Sequence, residues 1–140
     1  MIDHALALPA ALFPVALWGG LNLLLMLVLG LNVTRVRRKT NVGVGSGDSV
    51  ELLRAIRAHG NNSEYVPGLV VAMALMAWLG YSATVLTGVG VTLLVARLLH
   101  VHGITQLEPA VPPTRVVGNL LTWALYLGCT GALIATGAGL

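Results

Sequence analysis

The sequence predicts an all-α integral membrane protein, built as a four-helix up-down bundle. Three observations predict it. Hydrophobic residues make up 56% of the chain and charged residues 9%, where a soluble domain carries about 25% charge. Three long stretches, residues 14–33, 65–96 and 116–138, contain no formal charge. Every lysine and arginine falls beside or near one end of such a stretch, as expected of short loops on one side of a bilayer. At 140 residues the chain is one domain, and its mean hydropathy is +0.86.

Residues 14–33 form the first span, over about 14–34. Their length covers about 30 Å of hydrocarbon at 1.5 Å per residue. The RVRRK run at 35–39 stops it. The net charge of +3 could point to nucleic acid, but four of the eight basic residues lie in this run. That placement sets topology, and no nucleic-acid partner is expected. The N-terminus has no basic leader, so no signal peptide is expected. A glycine-rich turn follows at 40–47. Asp48 or Ser49 can then cap the second helix, with Glu51 completing a capping box after Asp48.

The second span, about 50–80, starts amphipathic and turns apolar after Glu64. The uncharged run from 65 to 96 is too long for one span, and LGYSAT at 79–84 splits it as a hairpin. The third span runs to about 106 from 84 and carries Arg97, His100 and His102 near its end. A proline-rich connection, LEPAVPPTR, leads to the fourth span at about 115–138. The basic side is expected to be cytoplasmic and both termini outside. Gly19, Gly20, Gly88, Gly90, Gly128, Gly131 and Gly137 are candidates for close helix approach in lipid. The one cysteine, Cys129, excludes an intrachain disulfide.

The candidate site is built from the polar residues of these helices. Arg54, Arg57, Asn61 and Glu64 are spaced 3, 4 and 3 and share one helix face. Arg57, Asn61 and Glu64 are expected to point inward, with His59 and Asn62 pointing elsewhere. Pro67 follows and removes one helical N–H. The bland alternative is a juxtamembrane turn with snorkelling arginines. Arg97 sits well inside an apolar helix, where a charge costs about 2.5–3.5 kcal/mol. It should pair, and Glu64 is the candidate. His100, three residues on, is either a ligand or a helix-end histidine bonded across the bundle.

Arg35, Arg57, Arg97 and Arg115 converge on one end, with Glu64 and Glu108 to balance them. Such an excess of guanidinium suits a small anion, either soluble or a lipid head group. Metal ligation has no support: His100 and His102 are two apart and face different sides of a helix. A small multidrug-type transporter would need an ionisable group at the midplane, whereas these charges sit toward one end.

The run RAIRAHGNNSEYVP resembles the signature of the MAPEG superfamily, the membrane-associated proteins of eicosanoid and glutathione metabolism. The matches are Arg57, Ala58, His59, Asn61, Glu64 and Pro67, then Ala96, Arg97 and His100 in the third helix. Arg115 opens the fourth helix, and the basic run 35–39 closes the first. The compact loops look like the bacterial branch, whose members sit in the inner membrane.

The resemblance implies a homotrimer that binds glutathione as co-substrate between subunits near the cytoplasmic face. A lipophilic small molecule would arrive from the bilayer. Arg35, Arg57, Asn61, Glu64, Arg97 and His100 would hold the tripeptide or the bundle, and Arg115 would stabilise its thiolate. The implied activity is transfer of glutathione to a lipophilic electrophile, or peroxide reduction. The chain departs from the pattern at Gly60, Ile104 and Val116, where related members carry arginine, tyrosine and serine. An alternative is therefore a non-catalytic protein of the same fold that binds anionic lipid or serves a larger complex.

Overall fold

The computed structural model describes residues 10–106 and 111–140. It contains four helices: α1 (Leu12–Thr40), α2 (Val50–Trp78), α3 (Ala83–Thr105) and α4 (Pro113–Gly137). The four helices expected from the sequence are all present. Glu108, used in the charge argument, lies outside the described residues.

α1 runs six residues past its expected end, to Thr40. Arg37, Arg38 and Lys39 occupy its last turn, where cations face the negative end of the helix dipole. At 29 residues it is about 43 Å long, so its basic turn can stand clear of a hydrocarbon layer of about 30 Å. Asn41 ends it in the left-handed conformation, φ 53° and ψ 37°. Arg37 then fastens the following turn. Its Nη1 donates to the carbonyls of Val42 and Gly43, each at 3.3 Å, and of Gly45 at 2.9 Å.

Ser49, not Asp48, caps α2. Its Oγ accepts from the Leu52 N–H at 3.2 Å. Glu51 is drawn away from the cap instead, and its carboxylate meets Lys39 Nζ at 2.7 Å. The capping box is therefore not formed. Ser49→Ala is expected to lower stability by about 1 kcal/mol and Asp48→Ala by nothing measurable, read from paired denaturation curves of the purified protein. Pro67 lies inside α2, which stays one continuous helix. The turn at 79–82 leads to Ser82, which caps α3 by accepting from the Val85 N–H at 3.3 Å. Tyr81 ties this turn to α4 through the Ala132 carbonyl at 3.0 Å and Thr136 Oγ1 at 2.8 Å.

Neighbouring helices run antiparallel. On α1 and α2, Gly19 faces Val70 while Gly30 faces His59. On α3 and α4, Gly103 faces Arg115 while Gly118 faces Ala96 and His100. α2 and α3 form the middle of the bundle, and α1 and α4 flank them without touching one another. One apolar cluster fills the hairpin half, around Leu69, Met73, Leu86 and Leu93. Two smaller ones lie toward the basic end, around Leu29, Ala58 and Ile104 and around Val36, Leu52 and Ala55.

α1, α3 and α4 are each long and apolar enough to cross a membrane. α2 is long enough, but its first half is too polar to count among them. Its central position covers only part of that polarity: Asn62 is buried against its neighbours, whereas Glu51, Arg57 and Glu64 are exposed. The antiparallel packing also gathers all eight basic residues of the chain into the half of the bundle opposite the 79–82 turn.

Of the glycines expected to mediate close approach, Gly19 meets Val70 and Gly90 meets Trp18, whereas Gly20, Gly88, Gly128, Gly131 and Gly137 face open space. The close approaches to backbone fall on glycines the sequence did not single out, Gly103 and Gly118, where α4 lies against α3 main chain to main chain.

Candidate functional site

Arg97 is the hub of the polar residues. It is 0% exposed and stands eight residues, about 12 Å, from the end of α3. Its Nη2 donates to Asn61 Oδ1 on α2 at 2.6 Å, and its Nη1 to Thr122 Oγ1 on α4 at 3.2 Å. The guanidinium also lies over the Tyr65 ring, 5.6 Å from the centroid. Thr122 passes its own proton to the Gly118 carbonyl at 2.8 Å, so its oxygen is free to accept from Arg97. Three helices are thus joined by one side chain.

The expected Arg97–Glu64 pair is not formed. Among the described residues the one ion pair is Lys39–Glu51, which is solvent-facing and of little energetic weight. Arg97 is balanced by an amide, a hydroxyl and an aromatic face. The reason is helix phase. Ala55, Ala58, Asn62, Val66, Leu69 and Met73 are the buried stripe of α2. Glu64 lies off that stripe and is exposed, as is Arg57. The inward orientation expected for Arg57, Asn61 and Glu64 is therefore corrected. Only Asn61 reaches the interior, from its margin, and Asn62 is the fully buried member of the run. His59 does lie on another side, against Gly30 of α1.

His100 is buried beside the hub, and neither ring nitrogen finds a partner in hydrogen-bonding geometry. The Arg115 backbone and the Asn119 side chain lie next to it. Arg115 itself is half-buried. Its backbone nitrogen would stand 2.6 Å from a β-carbon placed on Gly103, so the first turn of α4 is seated directly on α3.

Arg35 stands apart from this group. It is exposed on α1, and α1 makes no contact with α4, the helix of Arg115. Its Nε and Nη2 both donate to Asn32 Oδ1, at 3.2 and 2.9 Å. Arg35 and Arg115 thus stand on helices that do not pack against one another. Of the three departures from the family pattern, Ile104 is a core residue packed with Leu29 and Ala58. Val116 is exposed, and Gly60 opens onto the Glu64 carboxylate.

Several polar residues of the interior were not expected there from the sequence. Thr122 and Asn62 are fully buried, and Tyr65 and Tyr126 pack edge to face, with Tyr126 Oη donating to the Tyr65 carbonyl at 2.8 Å. Asn22 of α1 is buried as well, with its amide donating to the Trp18 carbonyl at 2.8 Å. Two spacings could have found the first of these. Asn62 continues the small and apolar stripe of α2, and Asn119, Thr122 and Tyr126 repeat at three and four on α4.

The fold and the site define a helical membrane protein whose cations crowd one end and whose second helix exposes an Arg–Asn–Glu face. The chain belongs to the MAPEG family, whose model matches residues 15–135. It is similar to the inner membrane protein YecN of Escherichia coli strain K12, with 38% identity over 88 residues, which is 63% of this chain and 67% of that protein. The YecN of strain O6:H1 matches to the same extent.

Proposed function

We propose that this MAPEG protein resides in a bacterial inner membrane, with its basic end cytoplasmic and both termini outside. There it binds glutathione between the subunits of a homotrimer and transfers it to a lipophilic electrophile. One observation carries the reading. Arg57 and Glu64 are exposed on the outer wall of a membrane bundle, and neither has a partner among the described residues. Charged groups on such a wall need a protein or polar ligand against them. A second copy of the chain with a zwitterionic tripeptide between them supplies both.

In this reading Arg57 takes a glutathione carboxylate, since guanidinium and carboxylate form paired charge-assisted bonds. Glu64 takes the α-amine, and Asn61 shares its amide between Arg97 and the peptide. His100 offers its unpartnered ring nitrogens. Arg97 acts through position: it holds Asn61 and the three helices. Arg115 stabilises the thiolate, as a nearby cation does for any thiol. Arg35 serves only if it reaches a peptide held by a neighbouring subunit. The residence in the inner membrane is supported by YecN, which is named for it.

Calorimetric titration of glutathione into the detergent-purified protein, together with turnover of an aryl halide, tests the reading. Arg115→Ala is expected to lower turnover about 30-fold at pH 7 without changing the oligomer. A thiol with pKa about 8.5 is only about 3% ionised there. Absence of both binding and turnover would sink the catalytic reading. The buried Ile104 and the open Gly60 favour a second one, a non-catalytic member of the same fold. That reading gains if Arg97→Ala dissolves the oligomer while the parent protein never turns over.

A further inference from the structure

We propose that a cleft at the basic end of the bundle, separate from the Arg57–Arg115 region, is a phosphoryl-binding site. Its ligand is the phosphate of an anionic lipid head group or a free phosphate ion. The cleft has a volume of about 240 Å³ and is lined by Asn32, Arg35, Glu51, Arg54 and Thr105, together with the buried Val36 and Ala55. It lies inside one subunit, between the last turns of α1, the first turn of α2 and the end of α3. It does not depend on the glutathione reading.

The two arginines differ from Arg37 and Lys39 nearby. Arg37 has three carbonyl partners and Lys39 has a carboxylate. Arg54 Nη1 is shielded from solvent and has no partner. A buried N–H without an acceptor costs about 1–3 kcal/mol, and more for a charged group. Arg35 is held by Asn32 through Nε and Nη2, which orients its plane and leaves Nη1 for a ligand. Two guanidiniums at one cleft offer the forked donors that phosphate oxygens accept.

The acid in the wall does not cancel them. Glu51 is already engaged by Lys39 at 2.7 Å, so the neighbourhood keeps an excess of two positive charges. The Thr105 hydroxyl is spent on the Val101 and His102 carbonyls, at 2.9 and 3.0 Å, and does not compete as a donor. The depth also fits. The cleft sits where α1 passes from its apolar stretch into the 35–39 basic run, the level at which lipid phosphates meet basic side chains.

Three probes test this on the purified full-length protein: phosphatidylglycerol and phosphatidylcholine by native mass spectrometry, and inorganic phosphate by calorimetry. Saturable phosphatidylglycerol binding, weakened at least about tenfold by Arg54→Gln and only partly restored by Arg54→Lys, which keeps the charge and loses the fork, supports the lipid source. Saturable inorganic phosphate binding with the same Arg54 dependence, and no preference between the two lipids, supports the free ion. Glu51→Gln removes the carboxylate and frees Lys39, and it is expected to tighten binding about threefold or more; a misfolded variant cannot bind better. Binding that is absent in the parent protein, or equal in the parent, Arg54→Gln and Glu51→Gln, overturns the proposal.

Discussion

Arg97→Ala is expected to destabilise the protein by about 3–5 kcal/mol, the largest loss from any single polar substitution in the bundle. The deletion empties a fully buried position, and large-to-small changes in packed cores cost about 2–5 kcal/mol. It also strips the hub from Asn61 Oδ1 and Thr122 Oγ1, and a buried polar atom left unpaired costs about 1–3 kcal/mol. Relief of the desolvated charge offsets part of this, because no carboxylate pairs with Arg97. Arg97→Met separates the terms: it keeps most of the volume and loses the charge. Unfolding by sodium dodecyl sulfate titration should rank the parent above Arg97→Met, and Arg97→Met above Arg97→Ala. An Arg97→Met protein more stable than its parent would show that the guanidinium is a burden to the fold and is retained for another purpose.

Gly118→Ala is expected to cost about 3 kcal/mol or more, although alanine is the better helix former. A β-carbon at this position would lie 2.6 Å from the Ala96 carbonyl oxygen and 2.7 Å from the His100 nitrogen. Both are backbone atoms of α3, so relief requires the two helices to move apart. Overpacking a core costs about 1–3 kcal/mol when side chains can yield. Here the obstruction is main chain, and the shift would also pull Thr122 from Arg97. Gly128→Ala is the matched control on the same helix. Nothing lies within 4 Å of its added carbon, so it should be neutral or raise stability by up to about 1 kcal/mol. Equal effects from the two substitutions would show that α3 and α4 are not in backbone contact at Gly118.

The helices were legible because long uncharged stretches have few alternatives in lipid. Their ends were less so. α1 continues through its basic run because arginine and lysine are good helix formers at the negative end of the dipole. Ser49 rather than Asp48 caps α2, a choice between neighbours that composition cannot make. The glycines show the same limit. Gly118 and Gly128 look alike in sequence, yet one meets backbone and the other meets open space.

The site was legible as a set of residue types and not as a set of contacts. Spacing placed Arg57, Asn61 and Glu64 on one face of α2, and they do share it. Which way that face turns depends on where α1, α3 and α4 lie. The buried stripe of α2 runs through Asn62, so the face points out of the bundle, and Arg97 reaches Asn61 and Thr122 instead of Glu64. Arg35 and Arg115 were grouped by lying at the same end, but they sit on helices that do not touch.

By itself the sequence determined the number of helices, their order, and the gathering of all cations at one end, because hydrophobic length and charge position are properties of the linear chain. The tertiary structure alone decided which polar groups are partners and which face outward. Those outcomes depend on helix rotation and on backbone approach at Gly103 and Gly118, and a helical residue's partners come from other helices, at distances along the chain that no local pattern records.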